Sequence, residues 1–231
     1  MLDPVGRVAM VSGANRGIGL AITQNLLTKG YFVSAGARRP ETLPSHKNML
    51  PARFDAQDRE TYAAWVDATV DRFGRLDALI NNAGTSNTFA IEEGDEADFD
   101  ALITTNLKNP LFMTRLALPH LRASGSGRIV NVASLSGKRV RNENVAYAIT
   151  KHGVIALTHA TRRIGWDHGV RATVVCPSFV ATDLTADATK VTRAEMIDAA
   201  DLAELIATAI ALPNNAAMAE MVVNCRLEDL F

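Results

Sequence analysis

The sequence contains no block of basic residues, and its 24 lysines and arginines are nearly balanced by 25 aspartates and glutamates. The formal net charge of −1 argues against nucleic acid or an anionic membrane as the main partner. No apolar run approaches the roughly 20 residues that cross a bilayer. The N-terminus also lacks the basic start and long apolar stretch of a signal peptide. We therefore expect a cytoplasmic protein that binds neither nucleic acid nor membranes.

Cysteine is scarce as well. Cys176 and Cys225 are the two cysteines, and we expect both inside strands as reduced core thiols. The five histidines form no H-x-x-x-H pair, and no metal-ligand spacing involves the cysteines, so no metal site is predicted. With 231 residues, of which 48% are hydrophobic and 21% charged, the composition is that of one soluble globular domain.

Short apolar runs of strand length alternate with amphipathic helices along the chain. Strands are predicted at 7–12, 31–37, 50–54, 76–80, 128–133, 170–175 and 221–224, and helices at 20–30, 59–73, 99–121, 144–166 and 200–212. Pro110 and Pro119 are possible bends or breaks in the third helix. The alternation predicts an α/β fold with a parallel sheet of about seven strands covered by helices on both faces. A small polar insert suggests a substrate lid around 182–199.

Tyr147 and Lys151 are four residues apart in a predicted helix, so their side chains share one face. An ammonium beside a phenol favours the phenolate and should lower the tyrosine pKa from near 10 toward the working range. Such a tyrosine can exchange a proton with a substrate oxygen, and Ser134 can donate a hydrogen bond to the same oxygen. The Y-x-x-x-K spacing alone also occurs by chance on helix surfaces.

The first strand runs directly into a glycine-rich turn, G-x-x-x-G-x-G, that opens a helix. Glycines let the backbone turn tightly and approach a pyrophosphate, and the helix start supplies free N–H groups and a positive dipole end. A strand-to-helix turn without a ligand is the alternative. Other polar residues follow the predicted strands at the same sheet edge, where ligands of parallel sheets bind. The candidate cofactor contacts in the turn are Ser12, Gly13, Asn15, Arg16, Gly17, Ile18 and Gly19.

The end of the second strand discriminates between nicotinamide cofactors. An acidic residue there binds the ribose 2′-hydroxyl of NAD, whereas an arginine accommodates the 2′-phosphate of NADP. Ala37 occupies the position of the carboxylate and Arg38 follows it, with Arg16 as a second candidate cation. We therefore expect NADP(H) to be preferred over NAD(H), although Arg38 and Arg39 as solvated surface charges remain an alternative.

Together with Asn81-Asn-Ala-Gly84 and Asn106, these motifs make the chain resemble the short-chain dehydrogenase/reductase family over nearly its whole length. The resemblance implies a doubly wound Rossmann fold, a single domain over 1–231, and a catalytic tetrad of Asn106, Ser134, Tyr147 and Lys151. In that pattern Tyr147 is the acid/base, Lys151 also holds the nicotinamide ribose, and Asn106 anchors a water that links Lys151 to solvent. The implied further cofactor contacts are Asp55, Asn81, Ala83, Gly84, Pro177 and Thr182.

The resemblance also implies the reaction, which is interconversion of a small-molecule carbonyl and a secondary alcohol, with carbonyl reduction favoured if the cofactor is NADP(H). The open alternatives are an NAD-dependent alcohol dehydrogenase of the same family, a non-catalytic nucleotide-binding regulator, and a hydrolase using Ser134 with Lys151. Ser178 stands where the family usually has glycine, which puts the local turn in doubt. A homo-oligomer, dimer or tetramer, is expected through the two long helices. The basic loop at 138–141 is interpreted as solvated rather than as a site for an acidic substrate.

Overall fold

The computed structural model describes residues 1–228. Its strands begin and end close to the predicted limits. They are β1 (Val8–Ser12), β2 (Phe32–Ala37), β3 (Met49–Arg53), β4 (Ala78–Asn81), β5 (Arg128–Val132), β6 (Arg171–Pro177) and β7 (Glu220–Val223). All pair in parallel in one sheet of order β3-β2-β1-β4-β5-β6-β7. The order reverses at β1, which pairs with β2 on one side and β4 on the other, so the doubly wound Rossmann fold is confirmed.

Helices cover both faces of the sheet. They are α1 (Gly17–Thr28), α2 (Glu60–Phe73), α3 (Glu96–Ile103), α4 (Asn109–Ala123), α5 (Val145–Gly165) and α6 (Ala199–Ala211). Neighbouring residues of β1 point to opposite faces, as strand geometry requires. Val11 packs with Ile22 and Ile206 in one core cluster, and Met10 packs with Trp65 in the other. None of the helices within residues 1–228 combines the length and apolar composition that a membrane crossing requires.

The predicted helix at 99–121 is longer and less regular than expected. It begins at Glu96, because Asp95 caps its first turn by accepting a hydrogen bond from Ala97 N at 2.8 Å. The chain then makes one turn of π-helix over Thr104–Lys108, here called the π turn, before α4 begins. Pro110 lies at the start of α4, where a missing N–H is tolerated, and Pro119 lies inside a helix that continues to Ala123.

Short 3₁₀ turns fill several connections, at Pro40–Thr42, Leu135–Gly137, Trp166–His168, Asp183–Thr185 and Arg193–Glu195. The last two lie within the segment predicted as a lid. Cys176 is buried in β6, but Cys225 lies after β7, so its predicted place in a strand is wrong. Both cysteines are free thiols.

Candidate active site

The glycine turn after β1 is tightly packed. Gly13 and Gly17 have φ of +66° and +52°, a region that L side chains rarely adopt. A Cβ added at Gly19 would lie 2.1 Å from Gly13 O and 2.5 Å from Asn82 Nδ2. Only glycine therefore allows α1 to start this close to the loop that follows β4.

Ser12 joins that turn to the loop after β4. Its hydroxyl accepts hydrogen bonds from Asn82 N and Ala83 N, both at 2.9 Å, and donates to Ile80 O at 3.3 Å. The Asn82 side chain donates back to Ser12 O at 2.9 Å. These contacts hold Ala83 and Gly84 beside the glycine turn. The Ser12 hydroxyl therefore fixes the positions of the two loops relative to each other.

The N-terminus of α1 lies directly after the glycine turn. Its N-cap residue, Arg16, makes no side-chain capping hydrogen bond, so the first N–H groups of the helix depend on other partners. A Cβ at Gly17 would lie 3.2 Å from Thr182 Cγ2, and Arg16 Nη1 lies 3.5 Å from Asp183 Oδ2 across an exposed ion pair. The turn and the start of the lid segment therefore flank a position suited to an anion.

A pocket of about 310 Å³ adjoins this turn at the end of β2. Asn15, Arg38 and Arg39 line it, and both arginines are exposed. Asp55 follows β3, and its Oδ1 accepts a hydrogen bond from Gln57 N at 3.0 Å. Two guanidinium groups and an amide form a site suited to a phosphate.

Tyr147 lies in the first turn of α5, whose N-cap residue Asn144 accepts a hydrogen bond from Tyr147 N at 3.4 Å. Ser134 follows β5 in extended backbone, and its Oγ accepts a hydrogen bond from Ser136 N at 3.1 Å. Burial raises the pKa of Tyr147, and the nearby Ser134 side chain lowers it in part. Ser134 and Tyr147 therefore lie near each other at this edge of the sheet.

Lys151 lies one turn further along α5 and is 6% exposed. Its Nζ donates to Val132 O at 3.0 Å and lies 5.4 Å from the centre of the Tyr147 ring. Burial lowers the pKa of Lys151 to about 8. The expectation that Lys151 brings the Tyr147 pKa below its ordinary value is wrong here, because burial dominates the Tyr147 pKa and raises it.

Asn106 lies in the π turn, a kind of irregularity that is frequent at functional sites. Its amide exchanges two hydrogen bonds with the Thr85 backbone, accepting from Thr85 N and donating to Thr85 O, each at 2.9 Å. It also donates to Thr150 Oγ1 at 3.3 Å. A Cβ at Gly84 would lie 3.3 Å from Asn106 Oδ1 and 3.7 Å from Lys151 Nζ. The π turn, α5 and the loop after β4 therefore meet at Gly84.

Asn81 points away from this meeting point. Its Nδ2 donates to Asn131 Oδ1 at 2.8 Å and to Thr114 Oγ1 at 3.3 Å, which ties β4 to β5 and α4. Thr182, which is 9% exposed, caps a 3₁₀ turn through reciprocal bonds with Thr185. Pro177 ends β6. Within residues 1–228, no group of three or more His, Cys, Asp or Glu side chains is placed to hold a metal ion.

The loop between Ser134 and α5 contains contacts that sequence patterns did not indicate. Lys138 Nζ donates to Glu220 Oε2 at 2.6 Å, and Arg139 and Arg141 pair with Glu228 at 2.8 and 3.0 Å. The interpretation of this loop as solvated is therefore wrong. The charges of Glu220 and Glu228 were the only available signal, and their partners lie 82 and 89 residues away.

Comparisons with known proteins agree with this geometry. A family model described as short chain dehydrogenase matches residues 7–193. Agropine synthesis reductase from Rhizobium rhizogenes is 44% identical over 229 residues, covering 96% of this chain and 53% of the relative. The chain thus spans about half the length of that relative. Ketoacyl reductase HetN from Nostoc sp. is 34% identical over 196 residues, covering 81% of this chain and 68% of HetN.

Among solved structures, "ElxO with NADP Bound" superposes with a TM-score of 0.85 at 26% identity. The superposition covers 95% of this chain and 97% of that one.

Proposed function

The chain belongs to the short-chain dehydrogenase/reductase family, and on that premise we propose that it is an NADP(H)-dependent oxidoreductase. It interconverts a small-molecule carbonyl and a secondary alcohol by hydride transfer, and acts as a carbonyl reductase. The observation that carries this proposal is the buried ammonium of Lys151, which lies 5.4 Å from the centre of the Tyr147 ring, with Ser134 at the same edge of the sheet. That arrangement offers a proton donor, a second hydrogen-bond donor and a cation at one edge of the sheet.

The residues present fit a dinucleotide. The uncapped start of α1 suits the pyrophosphate, and the pocket of Asn15, Arg38 and Arg39 suits a 2′-phosphate. The expected contacts at Asp55, Ala83, Gly84, Pro177 and Thr182 would line the rest of the cofactor, with Lys151 on the nicotinamide ribose. When bound, the nicotinamide supplies the redox chemistry.

The protein residues supply proton transfer and orientation. In the reducing direction Tyr147 gives its hydroxyl proton to the carbonyl oxygen, and in the oxidising direction it takes that proton from the alcohol. Ser134 donates a hydrogen bond to the same oxygen and holds it in place. The Lys151 ammonium stabilises the phenolate that reduction leaves on Tyr147. Asn106 anchors the water through which Lys151 exchanges protons with solvent.

The direction of the reaction and the preference for NADP(H) are supported by different observations. Both relatives named above are reductases by name, and the solved neighbour at 26% identity holds NADP. No carboxylate follows β2, where Ala37 and Arg38 stand. An NAD-dependent alcohol dehydrogenase of the same family and a non-catalytic nucleotide-binding regulator are the alternatives that the test must exclude.

A homo-oligomer, dimer or tetramer, is part of the proposal. Apolar side chains on α4 and α5 are exposed, with Leu111 at 41%, Ile149 at 46% and Ile164 at 54%. Exposed apolar groups on two adjacent helices suit a contact with a second copy. Sedimentation of the purified chain measures this directly.

The test of the activity follows reduced-nicotinamide absorbance with NADPH, and in parallel NADH, against a panel of ketones, keto acids and aldehydes. We expect oxidation of NADPH with at least one carbonyl and slower turnover with NADH. Faster turnover with NADH would favour the NAD-dependent alternative. Binding of NADPH without turnover of any carbonyl or alcohol would favour the regulator.

A further inference from the structure

The segment that follows β7, residues 224–228, contains a buried carboxylate. Glu228 is 4% exposed. Arg139 donates to both of its oxygens, from Nε at 3.0 Å and from Nη2 at 2.8 Å, and Arg141 Nη1 lies 3.0 Å away. Because Arg139 contacts both carboxylate oxygens, it fixes the orientation of the Glu228 carboxylate as well as its distance from the guanidinium.

Both arginines lie in the loop that joins Ser134 to α5. The preceding residue of this loop, Lys138, bonds Glu220 at 2.6 Å, and Glu220 also contacts His159 of α5 at 2.7 Å. Two carboxylates from β7 and the segment after it therefore fasten the loop within five residues of Ser134. The Arg141 side chain stays 43% exposed, so burial of the side chains does not by itself explain this arrangement.

Residues 224–228 also contact the turn after β6 and the lid segment. Cys225 N donates to Ser178 Oγ at 2.8 Å, which gives a role to the serine found where the family usually has glycine. Arg226 Nη1 donates to Lys190 O at 3.4 Å in the lid segment. Residues 224–228 thus connect the Ser134 loop, the turn after β6 and the lid segment.

Removing a carboxylate from water is costly even when it is paired, so a buried ion pair is weak support for stability alone. Its guanidinium partners hold the pKa of Glu228 below its ordinary value, so the carboxylate is charged at neutral pH. A fixed charge of this kind serves to hold one arrangement of the chain.

We propose that Glu228 is a positioning residue for carbonyl reduction, acting through Arg139 to hold the loop that carries Ser134. This proposal rests on the proposed function, because Ser134 is taken as the donor to the substrate oxygen. A displacement of about 1 Å in such a donor can cost on the order of a hundredfold in rate.

The test compares Glu228→Gln with Glu204→Gln, which removes an exposed carboxylate paired with Lys29, the residue that follows α1. For Glu228→Gln we expect kcat/KM for the carbonyl to fall at least about tenfold, while the Kd for NADPH stays at the wild-type value. Amide hydrogen exchange at residues 135–141 should rise in this variant and not in Glu204→Gln. Glu228→Asp should recover part of the lost kcat/KM.

A Glu228→Gln variant with wild-type kcat/KM, or with only a lower Tm, would overturn the proposal. Should that variant fail to fold, Arg139→Gln/Glu228→Gln removes the charge from both partners and is held to the same expectations. If the wild-type protein turns over no carbonyl, the proposed function fails, and hydrogen exchange still decides the positioning role. Unchanged exchange at residues 135–141 would then reject it.

Discussion

Lys151 Nζ lies 5.4 Å from the centre of the Tyr147 ring, and its hydrogen bond goes to Val132 O. Burial shifts the two pKa values in opposite directions, raising that of Tyr147 and lowering that of Lys151 to about 8. At neutral pH the tyrosine is therefore protonated and the lysine is charged. A protonated phenol beside a cation is the state that gives a proton to a carbonyl oxygen, which is what carbonyl reduction requires.

Tyr147→Phe should abolish turnover, because it removes the only proton that the proposal places on the substrate oxygen. General acid catalysis contributes about 10²–10⁴-fold, so kcat should fall by at least that factor. The Kd for NADPH, measured by isothermal titration, should stay within about threefold of the wild-type value, a change of less than ~1 kcal/mol.

Tyr31→Phe is the matched control. The Tyr31 hydroxyl is buried and has no hydrogen-bond partner among the described residues, so its removal should leave both kcat and stability close to wild type. A Tyr147→Phe enzyme with near wild-type kcat would refute the assignment of Tyr147.

Lys151→Met should give an inactive protein that is more stable than wild type at pH 7. Burial lowers the pKa of Lys151 from 10.5 to about 8, which corresponds to roughly 3 kcal/mol of unfavourable free energy while the charge is buried. The lost hydrogen bond to Val132 O offsets about 1 kcal/mol of the gain. Urea denaturation should therefore show a gain of about 2 kcal/mol.

The sign of the pH dependence provides a second check. Below pH 8 both the folded and the unfolded state hold the Lys151 proton, so the free-energy cost of burying the charge does not change with pH. Between about 8 and 10.5 the unfolded state holds more protons, and the stability of the wild type rises with pH. The advantage of Lys151→Met should shrink over this interval. An advantage that grows with pH would contradict the buried-ammonium account, and Lys47→Met, at an exposed site, serves as the control.

Sequence periodicity was sufficient for the sheet and its helices. The helix predicted at 144–166 is Val145–Gly165, because a long amphipathic pattern with an asparagine cap has few alternative interpretations. The π turn at Thr104–Lys108 was not predictable. A single extra residue in a helix turn scarcely alters the spacing of its apolar residues, so the sequence reads as one continuous helix.

The candidate site residues could be proposed from the sequence, but their electrostatics could not. Ser134, Tyr147 and Lys151 follow from spacing and from the sheet edge, whereas the direction of the Tyr147 pKa depends on burial, which spacing does not report. The pairing of Arg139 with Glu228 spans 89 residues. Contacts between residues so far apart in the sequence depend on the whole fold, so no local sequence pattern predicts them.

Arg38→Ala should weaken NADPH binding and leave NADH binding unchanged. The side chain lines the pocket at the end of β2 with Asn15 and Arg39, where the proposal places the 2′-phosphate. Loss of one charge-assisted contact of about 1.5–3 kcal/mol should raise the Kd for NADPH by about 10- to 150-fold. Isothermal titration with each cofactor measures the two Kd values. Arg72→Ala, an exposed arginine on α2, should change neither Kd, and equal losses for the two cofactors would reject the 2′-phosphate assignment.

Ser12→Ala should act on the fold rather than on the cofactor alone. The Ser12 hydroxyl is fully buried and accepts from Asn82 N and Ala83 N. Alanine removes this acceptor, and Asn82 N keeps its hydrogen bond to Ile80 O at 3.1 Å whereas Ala83 N loses its acceptor. One unsatisfied N–H group costs about 1–3 kcal/mol, so the free energy of unfolding should fall by about that amount. Urea denaturation measures the loss, with the exposed Ser45→Ala expected within about 0.5 kcal/mol of wild type. If Ser12→Ala instead kept its stability and lost only NADPH affinity, the hydroxyl would be a cofactor ligand and not a link between the two loops.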